Sequence, residues 1–165
     1  MDYEWLRYNL RMDAAPALKE IARRLNECGL EAVLIGNAAA ALQGAPVTTL
    51  DLDFMFRKSP ANLKKLKALA RSLRGSILTP FYPVSGLYRL MDDDRGLQLD
   101  FMSAIHGVRS FEGLKSRASR VYFGDYPIWV ADLKDIIRSK RALGRNKDQA
   151  VLEILEQTLH EKEKA

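Results

Sequence analysis

Asp51 and Asp53 stand two residues apart in TTLDLDFMF (Thr48–Phe56), a run that is otherwise apolar beyond its threonines. Residues two apart on a strand point to the same face, with Cα atoms roughly 6.6 to 7 Å apart, so the two carboxylates converge on one patch. A third acid, Asp100, lies mid-run in LQLDFMS (Leu97–Ser103), on the side of Gln98 and Met102 and opposite Leu97, Leu99 and Phe101. If the two strands are neighbours, three carboxylates meet on one sheet surface, where repulsion and desolvation are costly unless cations neutralise them. Hard oxygen ligands suit Mg²⁺ or Mn²⁺. Two such ions about 3.5 to 4 Å apart can clamp the attacking and leaving oxygens of an in-line phosphoryl displacement. A polar sheet face open to solvent also explains the alternation, and the acids alone do not choose between the two.

A second feature suits an anion. In IGNAAAALQG (Ile35–Gly44) a glycine ends a short apolar run and a helical stretch follows. Glycine lets a phosphate approach the backbone closely, and the free N–H groups at the helix start favour negative charge. A triphosphate could then lie with its oxygens on Gly36 and Asn37 and on metal held by Asp51 and Asp53.

The elements that must position these residues are legible as patterns. Leu18, Ile21, Ala22, Leu25 and Cys28 recur at helical spacing, and Gly29 stands where a C-terminal cap belongs. LEAVLIG (Leu30–Gly36) predicts a strand buried on both faces; Asn37 to Gly44 predicts a short helix with Asn37 as N-cap. Leu50, Leu52, Phe54 and Phe56 share the apolar face of the strand that carries the acid pair. Ser59 and Pro60 open the clearest helix, striped by Leu63, Leu66, Leu69, Ala70 and Leu73. Gly86 to Ser103 predicts a hairpin turning at DDDRG, with Asp92, Asp93 and Asp94 solvated. Beyond it the sequence predicts a helix over GVRSFEGLKSRA, a strand broken near Gly124, and helices opening near Asp132 and at Lys147–Asp148.

With 165 residues, 47% of them apolar and 28% charged, the chain is expected to form one soluble domain, a core over about 18–130 and a helical C-terminal part over about 131–160. No run reaches the roughly 18 apolar residues of a membrane span and the N-terminus lacks a signal-peptide layout, so the expectation is a cytoplasmic protein without a membrane partner. The net charge of +5 favours polyanionic partners, but its basic residues lie in helical patterns where a solvated face explains them. Cys28 reads as a packing residue, and His106 and His160 as surface or helix-end residues. Tyr82, in the irregular TPFYPVSG, is the aromatic residue placed best for stacking on a ligand.

LIGNAAAALQG followed by TTLDLDF and later LQLDFMS resembles the nucleotidyltransferase superfamily, with its G-[GS] turn, h-D-x-D-h strand and third acid on a later strand. DFMSAIHGVRSFEGLKSRA and VADLKDIIRSKRALGRNKDQAVLEILE are similar to the small members related to AbiEii-type toxins of toxin–antitoxin systems. The resemblance covers roughly residues 18 to 160. It implies an α/β nucleotidyltransferase fold: a short mixed sheet, helices packed mainly on one side and a small helical C-terminal part. It also implies Mg²⁺-dependent (or Mn²⁺-dependent) transfer of a nucleoside monophosphate from an NTP, with ATP expected, to an acceptor hydroxyl on tRNA, protein or a small molecule.

Carried over by position, Asp51, Asp53 and Asp100 are the implied metal ligands and catalytic acids, with Asp100 ligating metal or deprotonating the acceptor. Gly36, Asn37, Thr49, Lys140, Arg145 and Lys147 are the implied nucleotide-binding residues, and Asp148 belongs to the same tail motif. A cognate antitoxin is an implied partner. The sequence departs from the family at Asn37, where Gly or Ser is usual, and at Val47, where relatives often carry Arg. The alternative reading is a degenerate member that kept the fold as a binding module for a protein or RNA.

Overall fold

The computed structural model describes residues 14–49, 51–80, 82 and 84–165. Leu50, assigned above to the apolar face, lies outside them. The elements follow in the order α1 (Ala14–Cys28), β1 (Ala32–Ile35), α2 (Gly36–Ala41), β2 (Asp51–Phe56), α3 (Pro60–Ser72), β3 (Ser76–Leu78) and β4 (Tyr88–Asp92). Then come β5 (Leu97–Met102), α4 (Phe111–Arg117), β6 (Ser119–Phe123), β7 (Tyr126–Val130), α5 (Leu133–Leu143) and α6 (Asn146–Lys164). The strands form one mixed sheet in the order β3-β4-β5-β2-β1-β7-β6. β2 runs parallel to β5 and β1 parallel to β7, while the other neighbours are antiparallel. The two acid-bearing strands are therefore adjacent, and the edge strand β3 is an element the sequence patterns did not indicate.

The alternation in β2 does what a half-buried strand requires. Leu52, Phe54 and Phe56 are buried with Leu99 and Phe101 of β5, and the Phe54 and Phe101 rings stack at 5.0 Å between centroids. Phe56 meets Tyr88 and Phe101 edge-on. Burying such rings contributes roughly 1.5–3 kcal/mol each relative to exposure, so a one-residue slip of β2, which would turn them to solvent, is strongly opposed. The apolar face thereby fixes the direction of Asp51 and Asp53.

The helix ends are set by local chemistry. The Ser59 hydroxyl accepts from the Asn62 backbone N–H at the start of α3, with Pro60 as its first residue. Asn62 is itself buried and satisfied: it accepts from Glu31 N–H and donates to the Glu31 and Arg57 carbonyls, pinning α3 to the ends of β1 and β2. Asp132 caps α5 through the Lys134 N–H, and Gly144 ends α5 in the left-handed conformation. Two expectations shift. α2 begins at Gly36, so Asn37 is inside the helix rather than its N-cap, and Ile35 stands in that place with no side-chain bond. α6 begins at Asn146 with Arg145 before it, which leaves Asp148 as its third residue.

α1 and α3 touch each other, and their apolar stripes join the core that holds Phe54 and Phe101. α5 packs on α6 and touches α2, and this second group of helices brings the C-terminal motif to the strand ends. Cys28 packs half-buried against the core. Among the described residues no helix is long and apolar enough to cross a membrane.

Candidate active site

A cleft of about 720 Å³ is lined by Gly36, Asn37 and Thr49, by Asp51, Asp53, Gln98 and Asp100 of the paired strands, by Arg89 of β4, and by Lys140, Arg145, Lys147 and Asp148 of the C-terminal part. All nine site residues expected from the sequence line it. The mid-strand acids meet because β2 and β5 pair in a register that puts Asp53 opposite Asp100 and Asp51 opposite Gln98. Asp51 is exposed, Asp53 intermediate and Asp100 buried.

Gly36 is required where it stands. Its φ is +68°, and a Cβ there would come 2.9 Å from Asp53 Oδ2. Any side chain would be strained by the backbone and would push on the carboxylate, so glycine lets the turn and the acid lie against each other. Asn37 follows, and its Oδ1 is buried without a hydrogen-bond partner among the described residues. An orphaned buried acceptor is costly unless a donor or a cation arrives.

The charges are unevenly compensated. Burial, then the Asp100 and Asp51 carboxylates, push Asp53 up to about 6, while Lys140 and Arg145 pull the other way. No cation forms an ion pair with Asp51 or Asp53 among the described residues. Asp100 is different. Arg89 Nε donates to its Oδ1 at 2.9 Å, Arg89 Nη2 to its Oδ2 at 3.0 Å, and Gln98 Nε2 to Oδ2 at 3.2 Å. The Asp100 hydrogen bonds, with the Asp51 and Asp53 charges behind them, raise Arg89 above its ordinary range.

The basic residues of the tail have two roles. Lys140 and Arg145 hold the buried Asp148 at 3.5 and 2.7 Å. Burial works to raise Asp148, but the Arg145 hydrogen bond and the Lys140 and Arg145 charges outweigh it and keep the carboxyl below its usual range. Lys147 lines the cleft with no ion pair among the described residues. Val47 is buried, so the position where relatives often carry Arg faces the core rather than the cleft. Arg89, Gln98, Ser139 and His106 also line the cleft and were not singled out as site residues. Tyr82 is strongly exposed outside it.

The donor set fits a hard divalent cation in part. Two carboxylates line one cleft with Asn37, whose Oδ1 is buried without a partner among the described residues, and burial with the neighbouring acids makes the charged form of Asp53 costly. The expected third ligand is engaged by Arg89, and among the described residues no group of three acid, His or Cys side chains is arranged to hold an ion.

No protein-family model matches this sequence, and no curated protein matches it. Solved structures do match. A Thermotoga maritima protein assigned as a nucleotidyltransferase superposes with a TM-score of 0.65 at 22% identity, over 94% of this chain and 98% of that one. The antibiotic-resistance factor ANT(2'')-Ia superposes with a TM-score of 0.62 at 14% identity, over 88% of this chain and 83% of that one. A structure of the same factor in complex with adenylyl-2''-tobramycin gives 0.58 at 14% identity, over 88% of each chain.

Proposed function

On the nucleotidyltransferase fold that this chain has, we propose that it transfers a nucleoside monophosphate from an NTP to an acceptor hydroxyl in a Mg²⁺-dependent reaction. The observation that carries the reading is the juxtaposition of Asp51 and Asp53, which form no ion pair among the described residues, with the Gly36 turn, where a Cβ would come 2.9 Å from Asp53 Oδ2. A divalent ion, when bound, supplies the positive charge that draws NTP phosphates to this cleft.

The residues divide the work by position. Asp51 and Asp53 would hold the ion in the cleft that Asn37 also lines. Gly36 leaves room for a phosphate beside the start of α2. Lys140, Arg145 and Lys147 bring positive charge from the C-terminal helices to the cleft, which Thr49 also lines. The acceptor oxygen bonds to the α-phosphorus as the bond to the pyrophosphate oxygen breaks, and the hydroxyl proton is released. Catalysis rests on alignment and fixed charge, with no covalent intermediate on the protein. ATP is the proposed donor, in line with the adenylyl product held by ANT(2'')-Ia. A toxin-like role with a cognate antitoxin rests on the resemblance of two stretches alone, Asp100–Ala118 and Val130–Glu156.

The test is incubation of the protein with labelled ATP, Mg²⁺ and, separately, tRNA, cell protein and small polyhydroxylated compounds. Label is expected in one acceptor fraction. Asp51→Asn and Asp53→Asn should each lower its uptake by about 10²–10³-fold while the circular dichroism spectrum stays that of the parent. Full uptake by both variants sinks the proposal.

A further inference from the structure

Asp100 is the acid that departs most from what a metal ligand should look like. It is buried, and its two oxygens already accept three N–H groups, two of them from one guanidinium. A carboxylate has about four lone-pair sites, and the planar Arg fork matches two of them in one plane, among the strongest side-chain pairings available. The pairing is also built into the backbone. Arg89 and Asp100 are direct cross-strand partners in the β4–β5 ladder, so the two side chains leave the sheet side by side. A cation ligated by Asp100 would have to displace a positive charge that two strands aim at it.

The same pair leaves Arg89 with something to offer. Its Nε and one Nη2 proton are spent on Asp100, while Nη1 has no partner among the described residues. The side chain lines the cleft that holds Gly36, Asp51 and Asp53. In the strand order β4-β5-β2-β1, Arg89 stands on the opposite side of the acid pair from the Gly36 turn. A phosphate chain seated over β2 would thus meet backbone N–H groups at one end and a fixed guanidinium at the other. Position 47, buried and apolar in this chain, supplies no such charge.

We propose that Arg89, and not a second divalent ion, is the positive partner of Asp100, and that the guanidinium so fixed binds the phosphates of the nucleotide. Asp100 is then a positioning residue, and the cleft holds a single divalent ion on Asp51 and Asp53. The inference rests on the nucleotidyl-transfer reading and adds to it a count of ions and a specific phosphate contact.

Two binding measurements on the full chain test it, neither of which depends on turnover. Mn²⁺ titration followed by electron paramagnetic resonance should give one ion per chain for the parent and none for the Asp51→Asn, Asp53→Asn double variant. Asp100→Asn should keep its one ion. So should the Arg89→Met, Asp100→Asn double variant, which removes both charges of the pair. Binding of a non-hydrolysable ATP analogue should weaken about tenfold or more in Arg89→Met, recover only in part in Arg89→Lys, whose ammonium lacks the fork, and weaken about threefold in Asp100→Asn. Two Mn²⁺ ions on the parent with one lost in Asp100→Asn overturns the inference and leaves the proposed function standing. Unchanged analogue binding in Arg89→Met also overturns it. A parent that binds neither Mn²⁺ nor the analogue removes the reading of the whole cleft and this inference with it.

Discussion

Four acids of the cleft divide into two pairs that differ in their company. Asp135 and Asp148, on the C-terminal helices, are almost fully buried, and each is gripped by two cations: Arg117 and Arg138 at 2.8 Å for the first, Arg145 and Lys140 for the second. Each is also the third residue of its helix, where the helix dipole favours a negative charge. Asp51 and Asp53, on the strand, form no ion pair among the described residues; burial and the neighbouring carboxylates push Asp53 up to about 6, against the more distant pull of Lys140 and Arg145. The residue type is the same throughout. What differs is whether folding has already supplied the counter-charge, and where it has not, the site is left to attract one from outside.

The contrast predicts opposite signs for stability. Asp148→Ala should be the most damaging single change among these acids, about 3 kcal/mol, because it leaves Lys140, only 12% exposed, without the carboxylate it shares with Arg145. Urea denaturation at pH 7 measures it, and a loss under about 1 kcal/mol would mean Lys140 and Arg145 relax into water at little cost.

Asp53→Asn should do the reverse. A carboxyl whose folded pKa lies above its unfolded value contributes stability that is present below the ordinary Asp range and lost as pH rises through about 6. Removing the charge should therefore raise stability at pH 7 by about 1–2 kcal/mol and flatten the decline between about pH 4 and 6. Asp148 has the opposite sign: its contribution is present above the ordinary range and fades as pH falls through its lowered value. Parallel pH series of thermal melts for the parent and Asp53→Asn check both limbs. A parent that is equally stable at pH 4 and 7 would break the comparison.

The division between what the sequence disclosed and what it did not follows the same physical line. A period of two is local, so the shared face of Asp51 and Asp53 could be read from TTLDLDFMF alone. The pairing of β2 with β5 is not local: nothing in either run states that they lie parallel with Asp53 opposite Asp100. Arg89 went unnoticed as a site residue although its signal was present. Counting outward from the DDDRG turn, with Asp92 opposite Leu97, places Arg89 directly across from Asp100. Asp92 itself was expected in solvent and is instead fully buried, because its carboxylate accepts from the Arg95 backbone N–H and guanidinium and so carries its partner with it. Asn37 was expected to cap α2. The cap lies two residues earlier, at Ile35, because the glycine that turns out of β1 already takes the first helical position. The nucleotidyltransferase fold was legible from the resemblance, while the ion pairs that distinguish one acid from another needed the tertiary contacts.

The smallest effect concerns the seam between the two halves of the site. Gly36→Ala incurs two penalties that can be separated: a positive φ that disfavours any Cβ, and the contact that this Cβ makes with Asp53 Oδ2 at 2.9 Å. The first is a backbone term of about 1 kcal/mol that stays whatever stands at position 53. The second vanishes when Asp53 is shortened. In the parent, Gly36→Ala should therefore cost about 2 kcal/mol, and in an Asp53→Ala background about 1 kcal/mol, a coupling of about 1 kcal/mol in a double-mutant cycle read by urea denaturation. Additive effects would show that the turn and the acid are not held against each other, and the cleft would lose the close fit that sets Asp53 apart from Asp135 and Asp148.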